Sequence, residues 1–118
     1  MRSPALFYLT GLILLGSCNK HFQIAPGVPA CIRQEIKDNS KNPDWFTGSV
    51  EEYEFQGKLV YAFQPDTKRI KDGATTIKDD HCITLCNVGG FGGPSVNLCN
   101  GDNFFKQSVL KRVIWKKD

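Results

Sequence analysis

Val50-Glu51-Glu52-Tyr53-Glu54-Phe55-Gln56-Gly57-Lys58-Leu59-Val60-Tyr61-Ala62-Phe63 is the stretch that decides the fold. Before Gln56-Gly57, Tyr53 and Phe55 alternate with Glu52 and Glu54; after it, Leu59, Tyr61 and Phe63 alternate with Val60 and Ala62. A period of two belongs to strands, because successive side chains point to opposite faces. Two such runs around a glycine predict an antiparallel hairpin with an aromatic face turned inward. The second run is apolar on both faces, which places it in the interior of a sheet.

Outward from the hairpin the signals are shorter. Upstream, Ala30–Asn39 reads as a helix: Pro29 suits the first turn, where its missing N–H costs nothing, and Ile32 and Ile36 share one face. Asn39-Ser40-Lys41-Asn42-Pro43 ends it, since Pro43 drives Asn42 out of the helical region. Downstream, residues 64–74 are polar and turn-rich. Residues 75–77 and 82–88 read as a second strand pair joined by Lys78-Asp79-Asp80-His81, with Cys82, Thr84, Cys86 and Val88 on one face and Ile83 and Leu85 on the other. Gly89-Gly90-Phe91-Gly92-Gly93-Pro94 is a long loop. Gly101-Asp102-Asn103 is expected to cap a short helix that carries Phe104 and Phe105 and continues through Val109 and Leu110. Residues 112–115 close the chain as a strand. The fold class expected is α+β: a short N-terminal helix packed on an antiparallel sheet of four or five strands, disulfide-stapled, forming one small domain over residues 30–118.

The first residues carry an address. Arg2 supplies a positive n-region, and residues 5–15 form an apolar run of secretory length, too short for the roughly 20 residues that span a bilayer. Leu15-Gly16-Ser17-Cys18 resembles a bacterial lipobox. The resemblance implies a diacylglyceryl thioether on Cys18, removal of residues 1–17 as a lipoprotein signal peptide, and acylation of the new amine. Residues 18–29, with Pro26, Gly27 and Pro29 and no apolar period, read as a lipidated tether. His21 falls in it. The location this implies is an exported lipoprotein, most simply at the outer membrane, on its periplasmic or surface face.

The chain has five cysteines, an odd number that calls for an explanation in an exported protein. Lipidation of Cys18 accounts for one and leaves Cys31, Cys82, Cys86 and Cys99 for an oxidising compartment. Four cysteines allow three pairings, which the sequence alone does not choose between. The pairing preferred is Cys86–Cys99 with Cys31–Cys82. The first closes a loop of about 14 residues, worth about 3 kcal/mol in the chain-entropy model; the second ties the start of the domain to its sheet.

The formal net charge of +3 falls to about +2 without Arg2, and the basic residues are dispersed, so composition argues against a nucleic-acid partner. Lys111, Arg112, Lys116 and Lys117 form the densest basic patch, read as a solvated terminal strand in preference to a site for anionic lipid or a heparin-like chain. The glycine loop lacks the Gly-Lys-Ser/Thr that closes a phosphate cradle. His81, Cys82, Cys86 and Cys99 have zinc-type donors but no Cys-x₂-Cys knuckle. Asp79, Asp80, Asn87, Asn100, Asp102 and Asn103 offer oxygens to a calcium ion without an organising Asp-x-Asp-x-Asp-Gly pattern. Glu51, Glu52 and Glu54 crowd one strand, as suits solubility more than acid–base chemistry across a cleft. No catalytic residue, metal ligand set or cofactor is assigned. Tyr53, Phe55, Tyr61, Phe63, Phe104, Phe105 and Trp115 are expected in the core. Phe91, flanked by Gly90 and Gly92, either folds back over the sheet, which is the simpler reading, or stands out as an anchor for a partner.

Several pieces in order resemble the DUF6970 family of small lipoproteins from Bacteroidota. They are Cys31-Ile32, Tyr53 to Tyr61 of the hairpin, Asp80-His81-Cys82-Ile83-Thr84-Leu85-Cys86 and Gly89-Gly90-Phe91-Gly92-Gly93. Cys99, Asn103-Phe104-Phe105 and Val113-Ile114-Trp115-Lys116 complete the series. Where that family carries a Pro-Cys-Cys segment after the second hairpin strand, this chain has Gln64-Pro65-Asp66-Thr67. The resemblance implies address and fold, not chemistry. The function expected is that of a non-enzymatic, lipid-anchored envelope module, binding or structural. It would be held to the membrane by its lipid and meet an envelope protein or a glycan through residues 89–97. The alternatives are an inhibitor of a protease or lysozyme, on analogy alone, and a metal-dependent or thiol enzyme.

Overall fold

A computed structural model describes residues 23–90 and 94–118. The expectations for the signal peptide, Cys18, His21, Phe91 and Gly92 lie outside those residues. Helix α1 spans Ala30–Asn39, as the sequence predicts, with Pro29 at its N-cap and the Ser40 N–H donating to the Ile36 carbonyl at its end. Five strands follow the order β4-β3-β2-β1-β7 in one sheet: β1 Thr47–Phe55, β2 Lys58–Pro65, β3 Thr75–Lys78, β4 Thr84–Val88 and β7 Val109–Lys116. Every neighbouring pair is antiparallel. Between β4 and β7 the chain makes a single 3₁₀ turn (Pro94–Asn97), the two-residue strands β5 (Leu98–Cys99) and β6 (Asp102–Asn103), and the one-turn helix α2 (Phe104–Gln107). As expected, β2, apolar on both faces, lies at the centre of the sheet.

The hairpin differs from expectation in one respect that shapes the whole domain. Its turn is the two residues Gln56 and Gly57, both at positive φ, so Phe55 pairs with Lys58 and Tyr53 with Val60. Odd positions of β1 therefore share a face with even positions of β2. Tyr53 and Phe55 lie on one side of the sheet, Tyr61 and Phe63 on the other, and there is no single aromatic face. Two cores result. On one side, Ile32 and Ile36 of α1 meet Val50, Tyr61, Phe63, Ile114 and Trp115, with Trp45 packed beside them. On the other, Phe55, Val60, Ala62, Ile77 and Val88 are covered by Cys99 and Phe104. The domain is thus three layers deep, with α1 over one face of the sheet and the β5–β6–α2 segment over the other.

Covalent and ionic ties hold the outer layers on. Cys31–Cys82 joins α1 to the β3–β4 turn, and Lys78 reaches Glu35 of α1 at 2.6 Å. Cys86–Cys99 joins β4 to β5. Both disulfides are those preferred from the sequence.

Four local expectations are corrected. Val109 and Leu110 begin β7 instead of extending a helix; an apolar pair has no period, and α2 ends where Ser108 turns extended. Cys82 and Ile83 precede β4, Cys82 sitting at φ 64, so they take no part in its alternation. Glu52 is buried, not solvated: Arg112 Nε donates to it at 3.0 Å, and the Tyr61 hydroxyl donates at 3.3 Å. Phe105 is 49% exposed, while its neighbour Phe104 takes the core position. In addition, residues 24–29, expected to stand off as tether, lie against the domain. Ile24 and Ala25 pack on the helix-side core, Val28 is buried in it, and Ala25 N–H donates to the Ile114 carbonyl at 2.9 Å.

Candidate binding surface

Residues 89–97 leave β4 at the sheet edge opposite β7. Local chemistry holds both ends of this loop. Cys86–Cys99 closes its base, with sulfurs from β4 and β5, and the Gly89 N–H donates to the Val96 carbonyl at 3.2 Å. Gly89 and Gly90 both have positive φ, at 85° and 78°. A Cβ on Gly90 would lie 3.2 Å from the Asp72 carbonyl oxygen, so glycine lets this backbone run close to the β2–β3 connection. Gly90 thus enters the loop against the β2–β3 connection.

At the other end of the strands from this loop, a half-open cleft runs around the hairpin tip. Leu59 and Leu85 supply apolar walls, 46% and 44% exposed, and Lys58, Asp80, His81 and Asn100 supply a polar rim. The sequence did not single out this cleft. It exists because two turns meet there: Gln56–Gly57 of the hairpin and Asn100–Gly101 between β5 and β6. Asn100 and Gly101 both have positive φ, as the Asn-Gly dipeptide favours. Gln56 Nε2 donates to the Asn100 carbonyl at 3.0 Å and to Asp102 at 2.7 Å, while Asn100 Nδ2 returns a bond to Gln56 Oε1 at 2.7 Å. These bonds offset the strain of a glutamine held at φ 52. An Asn-Gly between Leu98-Cys99 and Asp102-Asn103 was the signal that would have revealed the small hairpin.

The groups weighed for chemistry are dispersed and engaged. Cys82, Cys86 and Cys99 are disulfide partners, which removes the thiolates that a zinc or a nucleophilic reading needs. Asp79 Oδ1 accepts from the His81 and Ile83 amides, and these two bonds, led by that from Ile83, hold its carboxyl below the usual range. Asn87 accepts from Thr76, and Asn103 caps α2 by accepting from the Lys106 amide. Asp80 lies 3.7 Å from His81, and Asn100 and Asp102 both bond Gln56, so the six oxygen donors are engaged elsewhere, and no group of three or more His, Cys, Asp or Glu side chains that could hold a metal gathers among the described residues. Asp66, on the far side of the domain, is also held below the usual carboxylate range, first by its bond from Lys117.

The tyrosines belong to two hydrogen-bonded networks. Tyr53 donates to Glu51, which also accepts from Gln64, and Gln64 in turn accepts from Thr75. Tyr61 donates to Glu52 within the Arg112 pair. Burial, then the nearby carboxylates, pushes both phenols up to about 12. Neither is poised to exchange protons at neutral pH.

No curated protein and no solved structure matches the chain. A family model does: a domain of unknown function, DUF6970, matched over residues 34–117. That span runs from the middle of α1 through the last strand and includes three of the four disulfide cysteines. The chain belongs to the DUF6970 family.

Proposed function

We propose that this protein is a lipid-anchored envelope module that binds another macromolecule, protein or glycan, and carries out no reaction of its own. The observation that supports this most is the loop 89–97. A disulfide across its base, two positive-φ glycines and the Gly89–Val96 bond give it a rigid footing on an otherwise conventional scaffold. Rigid footing lowers the entropy lost on binding, which is how small stapled domains present contact loops. The lipobox at Leu15-Gly16-Ser17-Cys18 supports the anchor, and disulfides accord with an oxidising compartment. The cleft at the hairpin tip, with Leu59 and Leu85 ringed by polar side chains, offers a second, separate contact area of mixed character.

Replacing Phe91 with Ala tests the reading. In quantitative crosslinking on native membranes, the variant should recover a given partner at least several-fold less than wild type while its unfolding midpoint is unchanged. Equal recovery would remove the loop from the proposal. The same clamped loop favours a second reading, inhibition of a protease or lysozyme. Inhibition at micromolar protein in a panel of these enzymes, abolished by the Phe91 change, would select it over scaffold binding.

A further inference from the structure

The chain joins the domain at the sheet edge formed by β7. Ala25 donates to the Ile114 carbonyl at 2.9 Å and Arg112 Nη1 to the Pro26 carbonyl at 2.7 Å, and Gln23 and Ile24 line a shallow groove with Val113. Five residues, 19–23, separate Cys18 from Ile24. Fully extended at no more than about 3.6 Å per residue, they reach about 20 Å. Strands spaced about 4.8 Å apart put β4, four strands away, roughly 19 Å beyond β7. A lipid on Cys18 would therefore hold β7 within about 20 Å of the headgroups, and with β7 against them β4 lies about 19 Å farther out.

What β7 and α2 expose suits that position. Leu110 and Val113 pair with Tyr53 and Glu51, so they lie on the sheet face that carries Phe104. The Phe105 ring continues this surface, 5.7 Å from that of Phe104. Phe105, Leu110 and Val113 are 49%, 51% and 49% exposed. Lys106 and Lys116 are exposed on the same two elements, while Lys111 turns toward Glu54, 3.7 Å away on the helix side of the sheet. Exposed apolar side chains flanked by lysines match the boundary between acyl chains and anionic headgroups.

We infer that this β7–α2 surface is a membrane-docking face: Phe105, Leu110 and Val113 enter the headgroup region of the anchoring leaflet, and Lys106 and Lys116 meet its anionic lipids. The inference rests on the lipid-anchor reading. It adds an orientation to it, with the 89–97 loop presented away from the membrane.

The test uses the mature protein purified from its membrane and reconstituted into phosphatidylcholine/phosphatidylglycerol vesicles with brominated acyl chains. Val113→Trp, with Leu110→Trp as a second variant should the first misfold, is compared with Ile83→Trp near the opposite edge. The intact mass of each sample reports the Cys18 adduct. Docking predicts at least twofold more bromine quenching at position 113 or 110 than at 83. It also predicts a loss of that excess when Lys106 and Lys116 are both changed to Gln. Equal quenching at both edges in a lipidated sample refutes docking and leaves the anchor standing. No adduct on Cys18 refutes the anchor, and docking with it. Shielding of position 113 that follows protein concentration and not lipid assigns the face to a second copy of the chain and overturns the inference.

Discussion

Replacing Arg112 with Ala should unfold the domain's N-terminal edge and cost about 2–3 kcal/mol. Arg112 makes three contacts: Nε and Nη2 to the Glu52 carboxylate at 3.0 and 3.5 Å, and Nη1 to the Pro26 carbonyl at 2.7 Å. Its guanidinium is about one-third exposed and Glu52 is buried. Removing one member of a fully buried pair costs about 3–5 kcal/mol, because the other charge is left without a partner. The partial exposure of Arg112 lowers that figure, and the remaining Tyr61 bond softens it further. For a domain of about 100 residues, each kcal/mol is worth roughly 4–8 °C of Tm, so the loss should approach 10–20 °C. The assay is thermal and urea unfolding with disulfides intact, together with hydrogen exchange at the Ala25 amide. Adding Glu52→Gln to Arg112→Ala should recover part of the loss, because the stranded charge is gone. A change below about 0.5 kcal/mol for Arg112→Ala, or no recovery in the double variant, would refute the reasoning.

Three further outcomes follow from the packing and the titrating groups. Phe104→Ala should lower the unfolding free energy in urea by about 3–5 kcal/mol, since this fully buried ring meets Tyr53 and Phe55 at 5.1 Å each. Gly90→Ala should cost about 1–2 kcal/mol through its φ of 78° and the 3.2 Å approach to Asp72, without altering the disulfides seen by non-reducing peptide mapping. Tyr53 and Tyr61 should ionise near 12 in a tyrosinate absorbance titration. Because their folded pKa values are raised, their contribution to stability is full below the ordinary value near 10 and is lost as pH rises toward 12, so the urea midpoint should fall across that window and less steeply in Tyr61→Phe.

Period and punctuation made the frame legible. Ala30–Asn39, the Gln56-Gly57 turn and the central place of β2 all follow from where apolar residues recur and where glycine or proline interrupts them. The split into two cores was not legible from alternation alone, because it depends on how many residues occupy the turn; a two-residue turn sends Tyr53 and Tyr61 to opposite faces. Elements as short as Leu98–Cys99 and Asp102–Asn103 are below the length at which a period exists, and only Asn100-Gly101 marked them. The burial of Glu52 depends on Arg112, 60 residues away, and no local pattern encodes so distant a partner. Ile24, Ala25 and Val28 were read with the tether for a similar reason, since three scattered apolar residues among prolines show no face until α1 and β7 supply one. At the candidate surface, the cysteines and Gly90 stood out because their chemistry is rare, whereas Leu59, Leu85 and the polar rim of the cleft are ordinary residues brought together by two turns.

The proposed function requires a disulfide-stapled domain held to a membrane by a lipid on Cys18. Intact mass of the protein purified from its native membrane, with and without thiol alkylation under denaturing conditions, tests it most directly. A lipid-anchored protein should give a chain beginning at Cys18 with a lipid adduct and four cysteines that refuse alkylation until reduced. An unmodified Cys18, or alkylation of Cys31, Cys82, Cys86 or Cys99 without reduction, would contradict it.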